Sequence, residues 1–174
     1  MHTYKACLVL AISTFTFTSA HAQLSQSAPT RYTNHATSST GTILKKDIRW
    51  ESKIPLNKTY GELTEEQRAE LHKMYQALPA GDEPPFPEAG IKPIFNAIRK
   101  AQRILQSRGT LDLTVTVGPD GKAVKVENFS SVRSGQMTDH AQEILLLTKY
   151  KPAMCHGEPC TMQFRFTQKL LPGG

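Results

Sequence analysis

GTLDLTVTVGPDGKAVKVENFSS, residues 109–131, is the most strongly patterned stretch of this 174-residue chain. Leu111, Leu113, Val115 and Val117 alternate with Asp112, Thr114 and Thr116. Period two places the first set on one face of a strand and the second on the other, so one face is buried. Gly118-Pro119-Asp120-Gly121 follows. Proline presets φ at the second turn position, aspartate tolerates the next, and glycine supplies positive φ. Val124 and Val126 then resume the apolar face, which predicts an antiparallel return strand.

Reading downstream, SSVRSG (130–135) is a loop, and a helix is expected from about Met137 to Thr148. Met137, Ala141, Ile144, Leu145 and Thr148 fall on one of its sides, and Asp139 near its start suits the helix dipole. A last strand is expected near 161–169, where Met162, Phe164 and Phe166 alternate with Gln163, Arg165 and Thr167. Upstream, a helix from about Pro93 to Gln106 carries the stripe Ile94, Ile98, Ala101 and Leu105. Proline suits its first turn and Gly109 lies just beyond its end. Arg99, Lys100 and Arg103 occupy its other side, a face that is either simply solvated or meets an acidic partner. PAGDEPPFPEAG (79–90) is a proline-rich connector that favours an extended path. Before it, Thr64-Glu65-Glu66-Gln67 fits a capping box. Leu71, Met74, Tyr75 and Leu78 follow at helical spacing until Pro79; His72 lies off that stripe and is expected in solvent. The order is two helices and then β-β-α-β, an α+β fold built on a small three-stranded antiparallel sheet packed with helices.

The N-terminus reads differently. Lys5, an apolar run from Ala6 to Phe17 and Ala20-His21-Ala22 form the three regions of a cleavable export signal, residues 1–22. Residues 23–60 read as a tail and linker. They are Ser-, Thr-, Gln- and Asn-rich to about residue 45, and then carry Ile48, Trp50 and Ile54, which either dock on the domain or stay in the linker. The folded domain is expected over 61–174, with an N-terminal helical extension. Loss of the leader removes Lys5 and no acid, leaving 20 basic against 15 acidic residues. That balance is too modest for a nucleic-acid signature. Cys7 leaves with the leader; Cys155 and Cys160, in MCHGEPC, remain. A pair of cysteines in an exported chain predicts a disulfide. The alternative, a redox or metal site with His156, leaves zinc short of its usual fourth protein ligand.

No catalytic constellation stands out. There is no G-x-S-x-G, no glycine-rich phosphate loop and no H-E-x-x-H. Asp139 and His140 are neighbours on a helix, where their side chains diverge, and Glu65-Glu66 is explained by capping. The expectation is therefore a protein with no enzymatic activity, no cofactor, no metal and no small-molecule substrate.

Residues 84–170 resemble the C-terminal domain of the TonB family. The resemblance lies in the Phe86-Pro87 pair before the fold, the Pro119-Asp120-Gly121 hairpin turn and the Ser130-Ser131 loop. It continues in the Tyr150-Lys151-Pro152 step after the helix and in the final strand. It implies a periplasmic protein-binding module whose last strand accepts an extended peptide, such as a segment of an outer-membrane transporter, by β-augmentation. The residues so implied are Thr161, Gln163, Phe164, Arg165, Phe166, Thr167 and Lys169. The chain departs from the family in its cleavable leader, its short polar tail in place of an anchor and long proline-rich spacer, and the helix at 93–106 between the Phe-Pro pair and the first strand, longer than the family usually has. An anchored form facing the periplasm from the inner membrane is the alternative location. A structural or stress-related envelope protein that keeps the fold without transporter coupling is the alternative function.

Overall fold

The computed structural model describes residues 54–171. In chain order these form a 3-10 turn at Tyr60–Glu62, α1 (Glu65–His72), β1 (Phe86–Pro87), α2 (Lys92–Leu105), β2 (Gly109–Val117) and β3 (Ala123–Asn128). Then come α3 (Gly135–Leu147), β4 (Tyr150–Lys151), β5 (Ala153–Cys155), β6 (Glu158–Cys160) and β7 (Met162–Leu170). The class is α+β, with antiparallel pairing throughout. The leader, the polar tail, Ile48 and Trp50 lie outside the described residues.

Strand β2 is the centre of the main sheet, in the order β3-β2-β7. Its register with β7 matches Leu113 to Phe166, Val115 to Phe164 and Val117 to Met162; its register with β3 matches Val115 to Val126. The alternating apolar residues of the three strands therefore share one face. Helices α2 and α3 cover that face, burying Ile94, Ile98, Ala101, Met137, Ala141 and Leu145 against it. Asp112, Thr114, Thr116, Lys125, Glu127, Gln163, Arg165 and Thr167 share the opposite face.

The hairpin turn also organises the rest of the fold. Gly118 N–H donates to Lys122 O at 2.8 Å, and Gly121 sits at φ +74°. Tyr150 N–H donates to Gly121 O at 3.0 Å, and a β-carbon at 121 would strike the Tyr150 carbonyl. Glycine is thus required twice here, for its φ and for the close approach of β4. After β3, the Ser130 and Ser131 hydroxyls accept from Asp112 N–H and Thr110 N–H, both at 3.0 Å, so the serine-rich loop continues the ladder with side chains.

Six elements differ from the sequence expectation. Helix α1 ends at His72, six residues before Leu78. Met74 and Tyr75 still bury, but through tight turns (Met74 N–H to Leu71 O and Tyr75 N–H to His72 O), because the Tyr75 hydroxyl is held at the sheet, 2.8 Å from Gln163 O. Helix α2 is terminated by Gln106 in the left-handed region at φ 48°, not by Gly109. Its own amide donates to Arg103 O at 2.6 Å, satisfying one carbonyl of the last turn. Finally, β1, β4, β5 and β6 have no counterpart in the periodicity. Strands of two or three residues are too short to show any period.

Residues 54–60 run against the domain. Ile54 and Tyr60 are buried, and Lys92 N–H donates to Leu56 O at 2.7 Å. The chain passes so close that a β-carbon at Gly90 would lie 2.7 Å from Lys58 O.

Candidate functional site

The direction of the backbone groups along β7 follows from two independent sets of bonds. Phe129 N–H and Ser131 N–H donate to Asp112 O and Thr110 O, so the even-numbered residues of β2 turn their backbone toward β3. The odd-numbered ones then face β7, and through the register they meet Met162, Phe164, Phe166 and Gln168. The backbone groups of Gln163, Arg165, Thr167 and Lys169 consequently point away from β2. The Tyr75 hydroxyl on Gln163 O, from outside the sheet, agrees. Among the described residues no other strand pairs with that outer side.

Side chains close both ends of this edge. Tyr75 takes Gln163 O at one end, and at the other Gln102 Nε2 donates to Leu171 O at 2.6 Å. Both donors are buried. Burial pushes the Tyr75 phenol far above its ordinary pKa, with the Tyr60 phenol adding to the effect. It stays a proton donor at every physiological pH. Neither residue drew attention in the sequence as part of a site: Tyr75 fitted a helical stripe, and Gln102 was a polar residue beside Ala101.

The strand residues singled out from the sequence fall into three groups. Phe164 and Phe166 are buried on the helix-covered face. Phe164 contacts Phe86 edge-on at 6.3 Å and Tyr150 at 5.7 Å, and Phe166 meets Phe95 edge-on at 5.1 Å between centroids. Gln163, Arg165 and Thr167 are half-buried on the polar face, and Lys169 is exposed. Arg165 forks onto Asp112, Nε to Oδ1 at 2.8 Å and Nη2 to Oδ2 at 2.5 Å, with side chains 17% and 19% exposed. Thr167 Oγ1 adds a contact to Oδ1 at 3.4 Å. A bidentate, mostly desolvated pair of this kind fixes the β2–β7 register. Thr161 is buried and lies just before β7. Gln168, on the apolar side, is buried with its Oε1 lacking a hydrogen-bond partner among the described residues.

Cys155 and Cys160 are bonded to each other, closing the β5–β6 hairpin five residues apart in sequence. Bonded sulfurs offer no thiolate to a metal, so the reading with His156 as a third ligand does not apply to this form. His156 instead turns the hairpin at φ 53°, followed by Gly157 at φ 87°, and its N–H donates to Asp82 Oδ1 at 2.8 Å. Glu83 and Met154 exchange backbone bonds at 2.9 and 2.8 Å, so the hairpin is latched to the connector and leads directly into β7.

A polar cleft of about 310 Å³ opens beside this latch, lined by Tyr60, Arg68, His72, Asp82 and Glu83 among others. The Tyr60 ring carries Arg68 at 5.1 Å and Lys151 Nζ at 4.6 Å from its centroid, and Lys151 pairs with Glu83 at 2.8 Å. Burial, with the Glu83 charge nearby, pushes the Tyr60 phenol up to about 12. His72 is half-buried here, not in solvent as its position off the stripe predicted. Burial lowers its pKa against the opposing pull of Glu83 and Asp82. The short turn at 80–81 folds the connector back over α1, a step that helix periodicity does not encode.

Compared with protein-family models, with curated proteins and with solved structures, the chain matches none.

Proposed function

We propose that this chain is an exported, non-enzymatic protein-binding module that takes an extended peptide along the outer edge of β7. In this reading it is a TonB-like periplasmic domain, and the peptide belongs to an envelope protein such as an outer-membrane transporter. The observation that supports it best is the outward row of backbone groups on β7 beside a sheet that ends there among the described residues. Such a row offers main-chain hydrogen bonds for affinity and alternating side-chain sites for selectivity. Phe86-Pro87 and Tyr150-Lys151, both motifs of the resemblance, pair as β1 and β4 and brace Phe164 from below.

One observation favours the rival reading, a structural or stress-related envelope protein. The caps by Tyr75 and Gln102 are edge protection of the kind that keeps sheets from pairing. Thr167→Pro separates the two. The Thr167 N–H points outward, so proline there removes an outward donor and leaves the β2 ladder intact. Binding of transporter N-terminal peptides by the wild type, lost in a folded Thr167→Pro variant, is the expected result. Peptide binding that is absent, or that survives the substitution, favours the structural protein.

A further inference from the structure

Charge is distributed unevenly around β7. From Ala89 to Leu111 there is no acidic residue, and Lys92, Arg99, Lys100, Arg103 and Arg108 all lie in that span. From Glu62 to Glu88 the balance reverses, with seven acids against Arg68 and Lys73. The acidic span reaches the start of β7 through Asp82 and the hairpin. The basic span reaches its end through α2.

The periodicity of α2 says where its cations lie. Phe95, Arg99 and Gln102 are spaced i, i+4, i+7 and form one stripe. Phe95 packs on Phe166, and Gln102 caps Leu171 O, so this stripe faces β7 and α2 runs in the same direction as the strand. Arg99, between them along the helix and exposed, lies on the solvent side of that stripe, on the flank of α2 nearest the edge, and Arg103 is exposed one turn further on. On the polar face of the sheet, Lys169 is the exposed cation of the same edge. Arg99, Arg103 and Lys169 make no ion pair among the described residues, whereas Arg165 is engaged by Asp112. The outer rim near Thr167–Lys169 thus has unneutralised cations on both sides.

We propose that the segment docking on β7 is an acidic extended peptide, with carboxylates toward Arg99 and Arg103 on the helix side and toward Lys169 on the other. This rests on the strand-addition reading above. The spacing suits it: the four helix residues from Arg99 to Arg103 advance about 6 Å and two strand residues about 6.8 Å, so successive side chains on one face of an added strand match the step between the arginines. Charge of this kind selects the partner and speeds its encounter more than it adds affinity.

The test is fluorescence anisotropy with three labelled nonapeptides: alternating glutamate and valine, alternating lysine and valine, and the glutamate peptide with alternate amides N-methylated. The glutamate peptide should bind at least about tenfold tighter than the lysine peptide, and Arg99→Glu with Arg103→Glu should remove that preference. Both side chains are exposed, so circular dichroism of the double variant should match the wild type. Equal binding of the lysine peptide, or an unchanged preference in the double variant, overturns the acidic partner and leaves strand addition standing. If the N-methylated peptide binds as well as its parent, strand addition itself falls, and this inference with it.

Discussion

The three-stranded sheet and the wrap formed by residues 54–91 both bury aromatic and aliphatic side chains, but they are held by different kinds of contact. In the sheet every residue of β7 from Met162 to Leu170 has a partner on β2, and each apolar position repeats the one two residues before it. The wrap is held by isolated anchors. Phe86 meets Phe164 of β7 edge-on at 6.3 Å, Glu83 bridges to Met154, and Tyr75 reaches Gln163 across 88 residues of sequence. A ladder tolerates the loss of one rung, whereas an anchor has no neighbour repeating its role.

Substitutions can break that comparison or sharpen it. Phe164→Ala should have the largest effect, because Phe164 is where the two regions meet: it lies on β7 and touches Phe86 and Tyr150. A buried phenylalanine cut to alanine costs about 3–5 kcal/mol, to be read from urea unfolding. If the loss is well below that range, the sheet and the wrap are less tightly joined than the aromatic contacts imply.

Opening the β5–β6 hairpin comes next. Cys155→Ser with Cys160→Ser should cost about 2 kcal/mol, the loop-closure term for so short a loop. Hydrogen exchange should rise mainly at Asp82, Glu83 and Met154, the latch with the connector. Exchange that rises equally throughout β2 would mean the latch belongs to the sheet and not to the wrap.

Tyr75→Phe isolates one anchor. It keeps the ring and removes the donor to Gln163 O, leaving a carbonyl without that partner, at a cost of about 1–2 kcal/mol. By unblocking one end of the β7 edge, the same change should raise peptide affinity if strand addition holds. Affinity that is unchanged or lower would show that the cap shapes the site instead of limiting it.

The smallest effect is with pH. Tyr60, Tyr75 and Tyr150 all have phenols raised above their ordinary pKa, chiefly by burial. A raised folded pKa means the folded chain holds its proton after the unfolded chain has lost it. The contribution is therefore complete below about 10 and declines as pH rises toward 12, the Tyr60 value. Unfolding midpoints should be insensitive to these groups near neutrality and fall above about pH 10. Ultraviolet titration should show tyrosines ionising late in the folded protein and normally in urea.

Legibility followed the same division. The hairpin, α3, the last strand and the apolar stripe of α2 were readable because each repeats a period over several residues, and Pro119-Asp120-Gly121 announced its turn by backbone chemistry alone. The capping box at Thr64 was readable too, and both of its bonds are present, Gln67 N–H to Thr64 Oγ1 at 3.3 Å and Thr64 N–H to Gln67 Oε1 at 3.1 Å. The end of α1 was not, since Met74 and Tyr75 fit a helical stripe as well as they fit the turn that carries them to the sheet. At the candidate site the alternation of inward and outward side chains on β7 was legible. Which of its backbone groups face outward was not, because that depends on the parity of the β2 pairing. The caps by Tyr75 and Gln102 join residues 88 and 69 positions apart, and no local pattern records such pairs.

Local sequence determined the long elements β2, β3, α2, α3 and β7, their apolar faces and the disulfide partners, because propensity, period and turn chemistry act over a few residues. Only the tertiary structure decided where α1 stops, that residues 54–60 lie against the domain, and that the flank of α2 bearing Phe95 and Gln102 lies toward the end of β7. Those outcomes depend on which surfaces meet after collapse, and a single long-range hydrogen bond or ring contact settles them without leaving a repeat in the chain.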